Sequence, residues 1–152
     1  MRTSLFAATL LLAVGSSVAH ADDINVLGAY DVKYEEVSTN CGENKLTYRH
    51  GKLRIEQRGT NIVVSVENTP SMQGSPPRGG KVSAKSKSSE TMLGGMKGVF
   101  SVAGRVTTEG QLRLVMIGEY SAGGKPLCSQ SWNVSGPRAP AEAAPPKATP
   151  KK

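Results

Sequence analysis

Aromatic residues make up only 5% of this 152-residue chain, which has one Trp and two Phe, and it holds just two cysteines and two histidines. These scarcities exclude most chemistry. His20 falls inside an N-terminal leader, so His50 is the single histidine left to move a proton or hold a metal. It stands beside Gly51 and reads as an exposed turn residue. No C-x-x-C, G-x-S-x-G, S-x-x-K or H-E-x-x-H occurs. Asp31, Glu35, Glu56 and Glu119 fall on the wet phases of strands, which does not assemble the paired acids of a glycosidase. Met72, Met92, Met96 and Met116 are the thioethers a Cu(I) carrier would need, and Met92-x-x-x-Met96 is a spacing such carriers use. That pair falls on an expected loop, where spacing matters less, and four methionines are few, so they read as flexible packing. The expectation is a non-enzymatic protein with no catalytic residue, no metal site and no cofactor.

A long apolar stretch is missing too. The run Leu5–Val14 (LFAATLLLAV) is about half of what a bilayer needs, so no transmembrane anchor is expected. Arg2 lies before it and Ala19-His20-Ala21 after it, the layout of a cleaved bacterial-type signal peptide over residues 1–21. The first cysteine downstream is Cys41, so no lipid-attachment cysteine stands at the cut. The expected location is the periplasm or the exterior. Residues 22–138 then make one domain, and 139–152 a Pro/Ala/Lys tail with nothing large to bury.

Acidic residues are in deficit: 19 Lys and Arg face 12 Asp and Glu, a formal net charge of +7. Part of that excess sits on the tail, where Lys147, Lys151 and Lys152 face Glu142 alone. Within the domain, Arg78, Lys81, Lys85 and Lys87 form the densest basic patch, with no acid between them. They are the candidate anion-binding residues. No aromatic lies between Tyr48 and Phe100 to stack on a base, so specific nucleic-acid binding is not expected.

In an oxidising compartment Cys41 and Cys128 are expected to pair, with a metal role as the weaker alternative. A bridge closing a loop of about 87 residues contributes roughly 4–5 kcal/mol in the chain-entropy picture.

The pattern from Tyr30 onward has period two. The inward set is Tyr30, Val32, Leu53, Ile55, Ile62, Val64, Val66, Phe100, Val102, Leu112, Leu114, Met116, Trp132 and Val134, alternating mostly with polar residues. Short strands are also expected at Leu46–Arg49 and Lys81–Lys85. Ser88–Lys97 contains Gly94-Gly95, lacks an apolar face, and reads as a loop or irregular strand. Turns fall at Arg58–Asn61, Thr108–Gly110 and Ala122–Lys125. The pattern predicts an all-β, antiparallel up-and-down meander of seven or eight strands, closed or nearly closed into a small barrel, because closure removes exposed edges. The cysteines point the same way: Cys41 follows the first strand and Cys128 lies in the last.

Leu27-Gly28-Ala29-Tyr30 resembles the G-x-W opening of lipocalin-type barrels, with Tyr in place of Trp. The domain closes on Trp132–Arg138, and the resemblance implies that this final arginine packs across the first-strand aromatic. It also implies a lipocalin-like fold and a tendency to bind small apolar molecules. Two functional readings follow, the first placed ahead of the second. In one, a monomeric binding module takes a small apolar ligand at the barrel mouth, with Tyr34, Met116, Tyr120 and Trp132 as ligand-binding residues. In the other, a filled barrel contacts an anionic envelope surface through its basic loop and tail.

Overall fold

The computed structural model describes residues 23–141; the leader expected over 1–21 and the tail beyond Ala141 lie outside them. Nine strands follow in chain order: β1 (Gly28–Thr39), β2 (His50–Arg58), β3 (Asn61–Val66), β4 (Met72–Gly74), β5 (Lys81–Lys85), β6 (Ser89–Glu90), β7 (Lys97–Val106), β8 (Gln111–Ala122) and β9 (Lys125–Pro137). All pairings are antiparallel. Strand order is β5-β4-β3-β2-β1-β9-β8-β7, and a further β5–β7 pairing joins the two ends into a ring. The two-residue β6 lies along the same edge of β7 as β5, nearer the start of β7. The nine strands exceed the expected seven or eight, and β4, a ring strand of three residues, was not expected at all.

The alternation read from the sequence holds through the ring. All the inward positions named above are buried, and β8 alternates without a break from Gln111 to Tyr120. Val63 is buried as well, on the opposite phase of β3. The β8–β9 hairpin turns on Gly123 and Gly124 between the paired Ala122 and Lys125. Both glycines have positive φ, which a two-residue turn matching the twist of its strands requires.

One expectation fails. Leu46–Arg49 is not a strand, although Leu46 is buried and Tyr48 half-buried. Leu46 meets a side chain, Gln130, where a strand residue would meet a neighbouring backbone. Ser88–Lys97 is mostly turn, as its glycines predict, apart from β6.

A bulge interrupts the β1–β9 register between Glu36 and Ser38 and leaves Val37 without a cross-strand partner, 58% exposed on the outer phase. Beyond it the chain runs into Cys41, which is bonded to Cys128 across 87 residues with their Cα atoms 5.0 Å apart. The first and last strands are thus joined by a ladder and a covalent bond.

Candidate functional site

The barrel interior is filled by side chains, and the four expected ligand-binding residues are among them. Trp132 and Met116 are fully buried, Tyr120 almost so, and Tyr34 is 7% exposed. Tyr48 from the β1–β2 loop lies over this group, with ring centroids 5.2 Å from Tyr34 and 5.4 Å from Trp132. Phe100 meets Tyr120 edge to face at 5.9 Å. Burial raises the phenol pKa values of Tyr34, Tyr48 and Tyr120 above the ordinary value of 10.0, Tyr48 to about 12. The Tyr48 hydroxyl is buried with no hydrogen-bond partner among the described residues.

Residues 40–49 hold that end shut. The buried Gln130 accepts from the Tyr120 hydroxyl at 3.0 Å and donates to a Glu36 carboxylate oxygen at 3.0 Å. Lys45 donates to the other oxygen of Glu36 at 2.7 Å. That bond holds the Glu36 carboxyl below its ordinary range, with help from Gln130.

The opposite end is closed by the segment before β1. Arg138 stacks on the Tyr30 ring, its guanidinium carbon 5.1 Å from the centroid, and donates to the carbonyls of Leu27 and Asn25. Tyr30 in turn donates to the carbonyl of Val26 at 2.7 Å. The packing of an end-of-strand arginine across the first-strand aromatic is therefore present. Arg138 also ties in the β7–β8 turn, its backbone N–H bonding Gly110 at 3.0 Å.

With interior and both ends occupied, the outer wall carries the open chemistry. Register places one row of side chains side by side across the strands. Lys81 of β5 is paired with Arg105 of β7, and Arg105 with Arg113 of β8. Arg113 is paired with Ser135 of β9, Ser135 with Lys33 of β1, and Lys33 with His50 of β2. Directly paired residues point to the same face, and all of these are exposed except the half-buried Ser135. Arg78 extends the row through its bridge to Lys81. The result is a belt of cations broken only by Ser135 and ending on His50.

Like charges in directly opposed positions repel and destabilise a sheet. None of the ion pairs among the described residues takes in Arg78, Lys81, Arg105 or Arg113. Lys33 is the compensated member, 2.7 Å from Glu35. Glu109 is held below the ordinary carboxylate range mainly by the Thr107 hydroxyl, with the charge of Arg113 a smaller contribution.

The belt crosses a groove of about 720 Å³ between Arg113 on one side and Lys33, His50 and Lys52 on the other. Ser135 and Gly136 form its floor, and Asp31 also lines it. A Cβ at Gly136 would fall on the Asp31 carbonyl, so only glycine lets β9 pass this close to β1 here.

The basic residues expected from the sequence divide. Arg78 and Lys81 join the belt. Lys85 lies farther along β5 and faces Glu119 at 3.8 Å, while Lys87 is exposed beyond the end of β5. Arg105, Arg113 and Lys33 were missed because they lie far from Arg78–Lys87 in the chain. Their one sequence signal is a basic residue on the wet phase of each strand, and only register joins those positions.

No family model, curated protein or solved structure matches this chain. Among the described residues no group of three or more His, Cys, Asp or Glu side chains is placed to hold a metal ion. No helix there is long and apolar enough to cross a membrane.

Proposed function

We propose that this protein is an exported, non-enzymatic small barrel that binds an anionic component of the cell envelope through its outer wall. The carrying observation is the belt Lys81–Arg105–Arg113–Ser135–Lys33, whose repulsion is unfavourable in the free protein and relieved by a bound anion. The tail supports the same reading. Arg138 anchors to the β7–β8 turn, so the chain leaves the described residues at Ala141 near the pole that carries Arg105 and Arg113, and the lysines of the tail follow in sequence. The test is retention on an anionic matrix. Chain 22–152 should bind and elute with added salt, and truncation after Ala141 should weaken retention. Passage through the column without delay at low salt would overturn the reading.

A second reading rests on the unpartnered Tyr48 hydroxyl. A small, mostly apolar ligand with one polar group would lie among Tyr34, Met116, Tyr120 and Trp132 after residues 40–49 lift, as in lipocalin-like barrels. Trp132 is the single tryptophan, so ligands entering there shift its emission with little salt dependence. Emission unchanged across a panel of such ligands would dispose of this reading.

A further inference from the structure

Resting on the anionic-surface reading, we infer that the partner is a linear acidic polysaccharide that wraps around the barrel along the belt, crossing the groove floored by Ser135 and Gly136. Three observations choose this partner over other anionic surfaces.

The first is curvature. From Lys81 to His50 the belt crosses six of the eight strands in the ring. At about 4.8 Å between neighbouring strands, the path is about 24 Å long and follows the hydrogen-bonding direction obliquely around the wall. A flat membrane touches only part of such a path, whereas a flexible chain follows all of it.

The second is the absence of stacking platforms. The row on one side of the belt is Ser83, Ala103, Val115, Asn133 and Glu35. No Tyr, Trp or Phe stands in it or in the belt, so nothing there receives the bases of a single-stranded nucleic acid.

The third is the groove. Between Arg113 and Lys33 the groove leaves room for a chain to pass, with cations on both sides, the Ser135 hydroxyl beneath and Asp31 as the acid in its lining. A linear polyanion gains from every cation it passes, so affinity depends on chain length.

The test uses chain 22–152 and fluorescently labelled polygalacturonate, read by anisotropy at low salt, with neutral dextran as the control polymer. Polygalacturonate should bind with an affinity that rises with oligomer length until the chain spans the belt, and added salt should release it. Arg105→Glu with Arg113→Glu should lower the affinity by about tenfold. Lys97→Glu with Lys125→Glu changes net charge equally but off the belt, and should leave the affinity near that of the parent. Arg105→Gln with Arg113→Gln covers the case in which the double reversal does not fold. It should weaken binding while leaving the melting temperature equal or higher, because it relieves a repulsion.

Equal losses in the belt and off-belt variants would overturn the inference, since net charge alone would then act. Affinity independent of oligomer length, or tighter binding to oligodeoxythymidine, would also overturn it. Binding to vesicles of equal phosphatidylglycerol and phosphatidylcholine without binding to polygalacturonate would overturn the wrapped polysaccharide but leave the anionic-surface reading standing. Failure to bind any of these anions would remove both.

Discussion

The side-chain amide of Gln130 bonds both backbone groups of Leu46, accepting from its N–H at 2.9 Å and donating to its carbonyl at 3.1 Å. Gln130 thus does for Leu46 what a neighbouring strand would do, which lets the chain leave the sheet and close the barrel end. Buried peptide groups need partners, and a loop that covers a barrel mouth has no ladder to supply them. Gln130→Leu removes those bonds together with the ones to Tyr120 and Glu36. The expected loss is about 2–4 kcal/mol, read as a lower urea midpoint, together with faster trypsin cleavage at Lys45. An unchanged midpoint would show that the loop is held by packing alone.

The Cys41–Cys128 bond spans most of the domain and joins the first and last strands at that same end. Peptide mapping without reductant should recover one cross-linked pair and no alkylatable thiol. Replacing both cysteines by alanine should remove roughly 2–5 kcal/mol. Two free thiols in oxidised protein would refute the bond.

Arg138 serves the other end, lying on the Tyr30 ring and bonding the carbonyls of Leu27 and Asn25. Arg138→Met keeps the apolar stem and should cost about 1–3 kcal/mol. Arg138→Lys should not restore the loss, because a single ammonium lacks the planar fork that meets two carbonyls while covering a ring. Full rescue by lysine would show that charge alone is required.

All four tyrosines have raised pKa values, with burial the largest cause in each. Absorbance at 295 nm should therefore show almost no phenolate in folded protein at pH 10, where the unfolded chain is about half ionised. A folded value above the unfolded one gives a contribution that is complete below pH 10 and is lost as pH rises through the folded values, Tyr48 near 12. Phenolate should accordingly appear together with alkaline unfolding. Half-ionised tyrosine in folded protein at pH 10 would contradict the packing at both ends.

Glu36 works in the opposite sense. Its carboxyl is held below the ordinary 4.5, first by Lys45, so its contribution is present above that value and lost as pH falls through the folded one. Glu36→Gln should flatten the acid limb of the stability profile and leave the alkaline limb unchanged. An unaltered acid limb would show that Glu36 is not among its causes.

Alternation with period two is a local property, and it placed most of the ring strands and the inward residues named on them without knowledge of what they pack against, but it missed the three-residue β4 and its buried Met72. The Cys41–Cys128 pair was equally legible, from two cysteines and the expected oxidising destination. The loop at Leu46–Arg49 was not, because its apolar alternation is that of a strand and only the distant Gln130 offers its backbone another partner. The belt was hidden for a related reason. Lys33, Lys81, Arg105 and Arg113 each announce an exposed strand position, but whether four cations meet or scatter depends on pairing register, which is set across the sheet. Sequence alone therefore determined which side of the wall most residues of the longer strands face, since that follows from backbone geometry one residue at a time. Only the closed tertiary structure decided which outward residues stand together, because strand pairing brings side chains from distant parts of the chain into neighbouring places on one surface.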